Sequence, residues 1–343
     1  MNFEPVYSPA IVSFRKINEI GQEGRNSKVF LAHDEHMDAK IVIKEISQYS
    51  TDLDKLSKEA KILYASSHPN VVQIQYACKD DDNFYIAMPF YSNGSLKSLM
   101  SKRNLTSREI IRYSIQFING VSHIHSKNLV HLDIKPDNIL LSDNNEALLS
   151  DFGLSDYTDD NGWFQLTRHY IKHSAPELCD STRQNLVNIQ FDIYQIGLTI
   201  YRMCVGDDVF NEQYNVFLSD NGELKTNEFV EALKAGSFPD EKAIPIHIPL
   251  QLKKVIMRCL ENDTSKRYSN TRDILNDLSS IDYVGLDWHY NSSGNSQQWT
   301  CKDHTGSEYS VILNKGDEKP KITKNGRNKN ITSNLKSFLL NLK

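Results

Sequence analysis

The stretches VHLDIKPDNIL at residues 130–140 and LLSDFGLS at residues 148–155 carry the residues that decide the fold. Asp133 and Asn138 lie five residues apart in the first stretch, and Asp151 follows 13 residues further on. A carboxylate with a lysine two residues away suits the activation of a hydroxyl nucleophile near negative charge. The asparagine and the second aspartate supply oxygen ligands of the kind that Mg²⁺ prefers alongside phosphate oxygens. The two stretches therefore indicate a magnesium site next to a group that activates a hydroxyl.

These stretches resemble the catalytic loop H-R-D-x-x-x-x-N and the unaltered D-F-G motif of the eukaryotic-type protein kinase superfamily. Further landmarks of that family follow in order along the chain. They are Lys44 at the end of IVIK, Glu59 in KEAKIL, HPNVV at 68–72, the A-P-E motif at 175–177, the D-x-W-S-x-G-like DIYQIG at 192–197, and Arg267, where the family places the partner of the A-P-E glutamate. An ordered series over about residues 14–280 is highly specific, whereas any one motif alone is weak.

The resemblance implies an α+β fold class, the bilobal protein-kinase-like fold, for a domain spanning 14–280. A small antiparallel-sheet N-lobe with one helix would occupy about 14–89, and a larger helical C-lobe about 92–280. Residues 1–13 would form a leader, and 284–343 a small C-terminal β/α appendage. Within the C-lobe, apolar spacing predicts helices near 188–205, 250–261 and 270–281.

The resemblance also implies a role for each matching residue, with ATP and Mg²⁺ as cofactors. Asp133 would accept the proton of the substrate hydroxyl, and Lys135 would offset charge on the γ-phosphoryl group. Lys44 would hold the α- and β-phosphates of ATP, with Glu59 orienting it. The implied magnesium ligands are Asn138 and Asp151, and the implied ATP-binding residues are Ile20, Gly21, Gly24, Ser27, Val29, Val42, Lys44, Met88, Phe90, Tyr91, Ser95 and Leu140.

The phosphate-binding loop departs from the family pattern G-x-G-x-x-G-x-V. In IGQEGRNSKV the first two glycines, Gly21 and Gly24, stand one residue further apart, and Ser27 replaces the last glycine. Main-chain N–H groups can still cradle phosphate, because that binding does not use side chains. We therefore expect the loop to bind phosphate at some cost in affinity.

Leu132 replaces the arginine of H-R-D. In the family, that arginine grips a phosphorylated activation loop through an arginine–phosphate pair. Without it, Ser155, Thr158 and Thr167 are less suited to act as switches that turn activity on. The sequence therefore predicts activity that does not depend on activation-loop phosphorylation.

The type of acceptor hydroxyl is marked by two conflicting features. Lys135 two residues after Asp133 resembles serine/threonine kinases. By contrast, YIKHSAPE lacks the threonine of G-T-x-x-Y-x-A-P-E and resembles the tyrosine-kinase form P-I-K-W-x-A-P-E. We favour serine/threonine in a protein substrate, because Lys135 is closer to the chemistry.

Two other functions compete with an active protein kinase. A catalytically impaired pseudokinase scaffold would act through its C-terminal module, but such scaffolds commonly lose a residue of the set Lys44, Glu59, Asp133, Asn138 and Asp151, all retained here. A small-molecule phosphotransferase of the aminoglycoside-kinase type shares the H-x-D…N and later-aspartate chemistry. The A-P-E motif and the DIYQIG helix favour protein substrates over that second alternative.

Composition limits the class of protein further. The 343 residues carry a net charge of −5, which argues against whole-chain binding to nucleic acid or to a membrane surface. The chain contains no apolar run long enough to span a membrane, and its first residues are not predicted to be a secretory signal. Five scattered cysteines without a C-x-x-C pair favour buried thiols in a reducing cytoplasm.

The C-terminal tail differs from the rest in charge. Residues 281–343 have a net charge of +3, and the first 280 residues −8. Short strands in SQQWTCKD, EYSVILNK and KPKITKN precede a final helical pattern, with Trp288 and Trp299 as packing aromatics. Contact with nucleic acid or an acidic protein could use Lys319, Lys321, Lys324, Arg327 and Lys329, but a solvated basic loop on a small packed module is favoured.

Overall fold

The computed structural model describes residues 11–23, 27–47, 49, 53–167, 170–179, 182, 185–282, 285–330 and 334–342. They divide into two compact units. The first contains the chain up to His68 together with Val72–Ser92, and the second contains Pro69–Val71 and everything from Asn93 onward.

The first unit is built on a five-stranded antiparallel sheet with one helix. The strand order in the sheet is β1-β2-β3-β5-β4. Its elements are β1 (Phe14–Glu23), β2 (Ser27–Asp34), β3 (Ala39–Ser47), α1 (Leu53–Ala65), β4 (Tyr76–Lys79) and β5 (Asn83–Pro89). Alternating apolar residues place Ala32, Ile41, Ile43, Tyr85 and Ala87 in one buried cluster, as the period of a half-buried strand requires.

The pairing of β1 with β2 contains an irregularity next to the phosphate-binding loop. Glu19 lies opposite Phe30, whereas Gly21 lies opposite the preceding residue, Val29. Ile20 is therefore the extra residue of a β-bulge, which bends the strand just before the turn.

The second unit is mainly helical, with short strand pairs around the catalytic loop. Its helices are α2 (Leu96–Met100), α3 (Ser107–His125), α4 (Ile189–Val205), α5 (Asp207–Asn215), α6 (Thr226–Ala235), α7 (Leu250–Cys259) and α8 (Thr271–Ser279). The short strands are β6 (Leu129–Val130), β7 (Ile139–Leu141), β8 (Ala147–Leu149), β9 (Asp156–Tyr157), β10 (Phe164–Gln165) and β11 (Leu186–Val187). A sheet followed by helices confirms the predicted α+β class and its order along the chain.

Two helices position the catalytic loop. A capping box starts α3, because the Thr106 hydroxyl accepts from the N–H of Glu109 while the Glu109 carboxylate accepts from the N–H of Thr106. The helix α4 is buried at every residue from Phe191 to Val205. Such an enclosed helix is a fixed support for the segments packed around it.

The tail forms a five-stranded antiparallel meander and a short helix. Its elements are β12 (His289–Ser293), β13 (Ser296–Lys302), β14 (Glu308–Asn314), β15 (Lys321–Lys324), β16 (Arg327–Asn328) and α9 (Leu335–Leu340). Trp288 and Trp299 are buried in its core with Tyr309, Val311, Ile322, Phe338, Leu339 and Leu342. The three predicted strands, the final helix and the two packing tryptophans are confirmed, while β12 and β16 were not predicted.

Both ends of this C-terminal module meet at Leu339. The indole N–H of Trp288 donates to the Leu339 carbonyl oxygen at 2.7 Å. A Cβ atom on Gly285 would lie 2.1 Å from the same oxygen, so only glycine fits there. Within the described part of the chain, no helix is long and apolar enough to cross a membrane.

Polar contacts join the C-terminal module to the helices of the same unit. The Arg108 guanidinium forms a double hydrogen bond with Asp287 at 2.7 and 3.0 Å. The Trp299 indole N–H donates to Nδ1 of His247 at 3.0 Å, and the imidazole is almost fully buried. The module is therefore packed on the helical region, although its bounds as a domain stay a prediction.

Candidate active site

The catalytic loop brings three predicted residues together around one carboxylate. Oδ2 of Asp133 accepts from Nζ of Lys135 at 2.7 Å and from Nδ2 of Asn138 at 2.8 Å. The side chain of Asp133 is buried, and its Oδ1 has no hydrogen-bond partner among the residues that the structure describes. A buried carboxylate oxygen without a donor is costly, so Oδ1 is the oxygen of Asp133 that still needs a hydrogen-bond donor.

Asn138 and Asp151 lie on segments that are bonded to each other. Ser150, directly before Asp151, donates its N–H and its hydroxyl to the Asn138 carbonyl oxygen at 2.9 and 3.0 Å. Because Nδ2 of Asn138 is used for Asp133, its Oδ1 is the side-chain atom left to ligate a cation. An amide oxygen beside a carboxylate fits the hard-oxygen preference of Mg²⁺, so the donor set agrees with the predicted metal site.

Asp151 has a left-handed backbone conformation. Its φ angle is 58°, in the left-handed region, and its Oδ1 accepts from the N–H of Gly153 at 3.2 Å. The next residue, Phe152, is buried with its ring edge-on to His131 at 5.0 Å between centroids. The ring contact fixes the D-F-G segment against the catalytic loop within the second unit.

Asp192 on α4 holds the backbone of the catalytic loop. Its carboxylate accepts from the N–H groups of His131 and Leu132, each at 2.8 Å, and from Nε2 of His125 at 2.8 Å. Burial alone would raise the pKa of Asp192, but these hydrogen bonds and the histidine charges bring it below its ordinary value. Asp192 therefore stays ionised and anchors a loop in which Leu132 has a φ angle of 69°.

Gln195 and Thr199 extend this anchoring along α4. Oε1 of Gln195 accepts from the N–H of Ile134 at 2.9 Å, and its Nε2 donates to the Leu132 carbonyl at 3.1 Å. The Thr199 hydroxyl donates to the Ile134 carbonyl at 3.3 Å. These contacts were not predicted. The available signal is that Asp192, Gln195, Thr199 and Arg202 are polar residues on one face of a largely apolar helix.

In the first unit, Lys44 and Glu59 form the predicted pair. Nζ of Lys44 lies 2.8 Å from Oε1 of Glu59, and both side chains are more than nine-tenths buried. The lysine is on the central strand β3 and the glutamate is on α1, so the sheet and its helix fix the pair. Two charged side chains that are almost fully desolvated need each other's charge to be tolerated.

The remaining predicted ATP-binding residues divide between the two units. The first unit contains Ile20, Gly21, Ser27, Val29, Val42, Met88, Phe90 and Tyr91, and the second contains Ser95 and Leu140. In the sheet, Val29 lies opposite Lys44 and Val42 opposite Met88. Ser95 pairs with Leu140 and caps α2 by accepting the N–H of Ser98. Gly24 lies outside the described residues.

Tyr170 occupies the place of the missing activation-segment threonine. Its ring lies under the ammonium of Lys135, 4.8 Å from Nζ to the ring centroid. The face of an aromatic ring attracts a cation. A cation–π contact therefore holds Lys135, in addition to its ion pair with Asp133.

Comparison with known proteins agrees with this architecture. The family model of the protein kinase domain matches residues 14–278 of the sequence. The chain belongs to the protein kinase family.

Individual relatives carry serine/threonine kinase names. The chain is 34% identical over 177 residues to a probable serine/threonine-protein kinase, samkA, of Dictyostelium discoideum, covering 51% of this chain and 28% of that protein. It is 24% identical over 321 residues to the probable serine/threonine-protein kinase PknB of Lactococcus lactis, covering 91% of this chain and 48% of that protein. The chain spans less than a third of the first curated relatives that it matches.

Proposed function

We propose that the chain transfers the γ-phosphoryl group of ATP to a hydroxyl group of a protein, with serine or threonine as the acceptor. The observation that carries this proposal is the divided environment of the Asp133 carboxylate. Oδ2 is bonded to Lys135 and Asn138, whereas the buried Oδ1 has no partner in the described part of the chain. A substrate hydroxyl would supply the missing donor.

The proposed reaction follows from that geometry. The substrate hydroxyl donates to Oδ1 of Asp133, its oxygen forms a bond to the γ-phosphorus, and the bond from that phosphorus to the β,γ-bridging oxygen breaks. The hydroxyl proton goes to the Asp133 carboxylate, and ADP leaves. Lys135, 2.7 Å from Oδ2, places positive charge beside the transferred group. Catalysis of this type relies on positioning and electrostatics.

The proposed site also includes two magnesium ligands, Asn138 and Asp151, and the ion pair of Lys44 with Glu59. Mg²⁺ held by Oδ1 of Asn138 and the Asp151 carboxylate would neutralise phosphate charge. Lys44, oriented by its ion pair with Glu59, would hold the α- and β-phosphates. The purine would contact four half-buried apolar side chains, those of Val29, Val42, Met88 and Leu140. The Phe90–Tyr91 backbone and Ser95 would complete the nucleotide site.

Two observations support serine/threonine over tyrosine. Lys135 is held within 2.7 Å of Asp133, and this lysine is the serine/threonine-type feature of the loop. The Tyr170 ring gives Lys135 a second contact in the absence of the family threonine. Several relatives are named as serine/threonine-protein kinases, which supports the same assignment.

The environment of Leu132 supports activity without activation-loop phosphorylation. Its side chain is fully buried and apolar, so the loop offers no cation at the position of the family arginine. Ser155 is also buried, and its hydroxyl donates to the His131 carbonyl at 3.3 Å. Kinetics before and after phosphatase treatment test this proposal, and a large loss of activity on dephosphorylation would refute it.

Phosphopeptide mass spectrometry with the full chain, ATP and a generic protein substrate tests the transfer itself. The Asp133→Asn variant should lower the rate about 10²- to 10⁴-fold, the usual contribution of a positioned base. Asp143→Asn, a matched change in an exposed loop, should leave the rate unchanged. Equal rates for the wild-type chain and Asp133→Asn would contradict the proposal.

The same experiment separates the alternatives. No transfer by the wild-type chain would favour the pseudokinase scaffold. ATP consumption stimulated by small hydroxyl compounds, without labelled protein, would favour a small-molecule phosphotransferase. Phosphotyrosine as the main product would overturn the serine/threonine assignment.

We further propose that the protein is located in the cytoplasm. We also propose that the C-terminal module mainly supports the packing of the helical region. Lys324 and Lys329 lie over the Tyr309 ring at 5.1 and 5.0 Å, so these two cations take part in the module's own packing. Lys319, Lys321 and Arg327 are exposed and could instead contact nucleic acid or an acidic protein. Salt-sensitive binding of the full chain to a polyanion, lost when these three become glutamine, would favour that alternative.

A further inference from the structure

The activation segment is attached to α4 at His173 by two buried side chains. Nη1 of Arg202 lies 2.9 Å from Nε2 of His173, and Nε2 of Gln195 lies 3.5 Å from the His173 carbonyl oxygen. All three residues are at least nine-tenths buried. We propose that Arg202 and Gln195 are positioning residues that clamp the activation segment to the catalytic loop without a phosphate group. This proposal rests on the proposed kinase function and extends it to regulation.

Arg202 connects three separate segments through one guanidinium group. Its Nε and Nη2 donate to Oδ1 of Asp207 at 2.9 and 2.7 Å, at the start of α5. Its Nη1 lies 3.6 Å from Oδ2 of Asp137 in the catalytic loop, besides its contact with His173. Two carboxylates compensate the buried charge, and the planar donor fork of arginine can serve several acceptors at once.

The contact between Arg202 and His173 defines the state of the imidazole. A guanidinium group only donates hydrogen bonds, so Nε2 of His173 must accept and the ring must be neutral. Burial, followed by the charges of Arg202, Lys135, Lys172 and Lys97, holds the pKa of His173 well below its usual range. The contact is therefore present at neutral pH without a change of protonation.

Aromatic rings enclose the same imidazole. The ring of Phe210 on α5 stacks on His173 at 6.1 Å, and the ring of Tyr170 meets it edge-on at 5.3 Å. Tyr170 also lies under Lys135. The position of His173 is thus connected through one neighbour to the lysine beside the catalytic carboxylate.

Gln195 provides the second part of the clamp. Its amide contacts the catalytic loop on both sides of Asp133, at the Leu132 carbonyl and the Ile134 N–H, as well as the activation segment. A phosphate group bound to an arginine orders an activation loop by new charge-assisted hydrogen bonds. Here the buried Arg202 supplies a charge-assisted hydrogen bond to Nε2 of His173, and Gln195 adds a longer, neutral one to the His173 carbonyl. Both are present in a loop that has Leu132 in place of the arginine.

Hydrogen exchange of the full chain, together with steady-state kinetics, tests the clamp. Arg202→Met removes the donor fork while keeping an unbranched side chain. We expect exchange in residues 170–179 to accelerate at least tenfold, with exchange in the β1–β5 sheet unchanged. For a protein substrate, kcat/KM should fall about tenfold, while the KM for ATP stays within twofold. Arg258→Met, at a half-exposed arginine on α7, is the matched control and should change neither quantity.

A second variant removes the same contact by changing the residue in the activation segment. His173→Phe keeps an aromatic ring but removes the acceptor for Arg202, so it should reproduce the faster exchange. If Arg202→Met does not fold, His173→Phe decides the question. Unchanged exchange in residues 170–179 in a folded variant would overturn the clamp.

The two readouts separate failure of the clamp from failure of the kinase function. Hydrogen exchange does not require activity, so it tests the clamp even in a chain that transfers no phosphate. A wild-type chain that is inactive, with exchange that responds to Arg202→Met, would refute the proposed function but not the clamp. An active wild-type chain whose exchange and kinetics ignore both variants would refute the clamp alone.

Discussion

Arg267 forms a double ion pair with Glu177, 90 residues earlier in the chain, with N···O distances of 2.9 and 2.7 Å. The same guanidinium also donates to the carbonyl oxygens of Gln190 and Glu261 at 2.9 and 2.7 Å. The buried guanidinium group of Arg267 thus makes four hydrogen bonds to acceptors. The pair, predicted from motif order, ties the A-P-E segment to the start of α4 and to the loop after α7.

Breaking this buried pair should be strongly destabilising. Glu177→Gln leaves the Arg267 charge buried without a compensating carboxylate. Such a change typically lowers the free energy of unfolding by about 3–5 kcal/mol. Urea denaturation should show that loss as a lower midpoint with an unchanged slope. The Arg108–Asp287 pair is the control, because both side chains are about half exposed. Asp287→Asn should cost no more than about 1 kcal/mol, and equal effects of the two changes would contradict the prediction.

Loss of the Lys44 charge should reduce phosphoryl transfer. Lys44→Met removes a cation that would stabilise developing phosphate charge, and the removal of one such group costs about 10²- to 10³-fold. Kinetics with saturating protein substrate measure kcat/KM for ATP. Lys40→Met, on the same strand β3 but exposed, is the matched control and should leave the rate unchanged. A fully active Lys44→Met variant would show that Lys44 contributes nothing to phosphate binding or transfer.

The Tyr170 ring should contribute modestly to catalysis through Lys135. A cation–π contact at a partly exposed site is worth about 0.5–1 kcal/mol, equivalent to roughly a two- to fivefold change in rate. Tyr170→Leu should lower kcat by that factor, whereas Tyr170→Phe keeps the ring and should retain the wild-type rate. A loss in Tyr170→Phe as large as in Tyr170→Leu would assign the effect to the hydroxyl instead.

His247 should make the protein less stable in acid. Burial lowers the pKa of His247 to about 4, and its Nδ1 must accept from the Trp299 indole, which keeps the ring neutral in the folded protein. In the unfolded chain, histidine titrates near its ordinary pKa of about 6.5. The unfolded state therefore binds an extra proton below pH 6.5, and the free energy of unfolding falls by about 1.4 kcal/mol per pH unit toward pH 4.

The contribution of His247 can be separated from that of other groups by comparing slopes. His247→Asn offers Trp299 an amide oxygen as acceptor but does not titrate. Urea denaturation at several pH values should give the variant a shallower dependence by about 1.4 kcal/mol per pH unit. Parallel curves for the wild-type chain and the variant would contradict a neutral buried His247.

The parts of the structure predicted from sequence are those whose residues are marked by motif spacing or by strong periodicity. The ion pairs Lys44–Glu59 and Glu177–Arg267 followed from motif order, and helix α4 from its apolar run. The helices α5 and α6 were missed because α5 buries only Phe210 and α6 only Phe229 and Leu233. Such short helices have little amphipathic signal and depend on tertiary packing.

The contacts of Gln195 and Arg202 could not be predicted from the spacing of motifs. Both side chains bind the backbone or side chains of segments that lie far away in sequence, such as Ile134, 61 residues before Gln195. The identity of those partners depends on how α4 packs, which a one-dimensional pattern does not specify. The positive φ angle of Leu132 could not be predicted for the same reason, because its N–H donates to Asp192, 60 residues away.

The convergence of Gly285 and Trp288 on the Leu339 carbonyl has a consequence for how this segment could be exchanged between proteins. A folded segment whose two ends lie side by side can be inserted into a host chain, or removed from it, at a single position without rerouting the host backbone. The two ends of the stretch from Gly285 to Leu339 meet that geometric condition, and glycine at position 285 is its steric requirement.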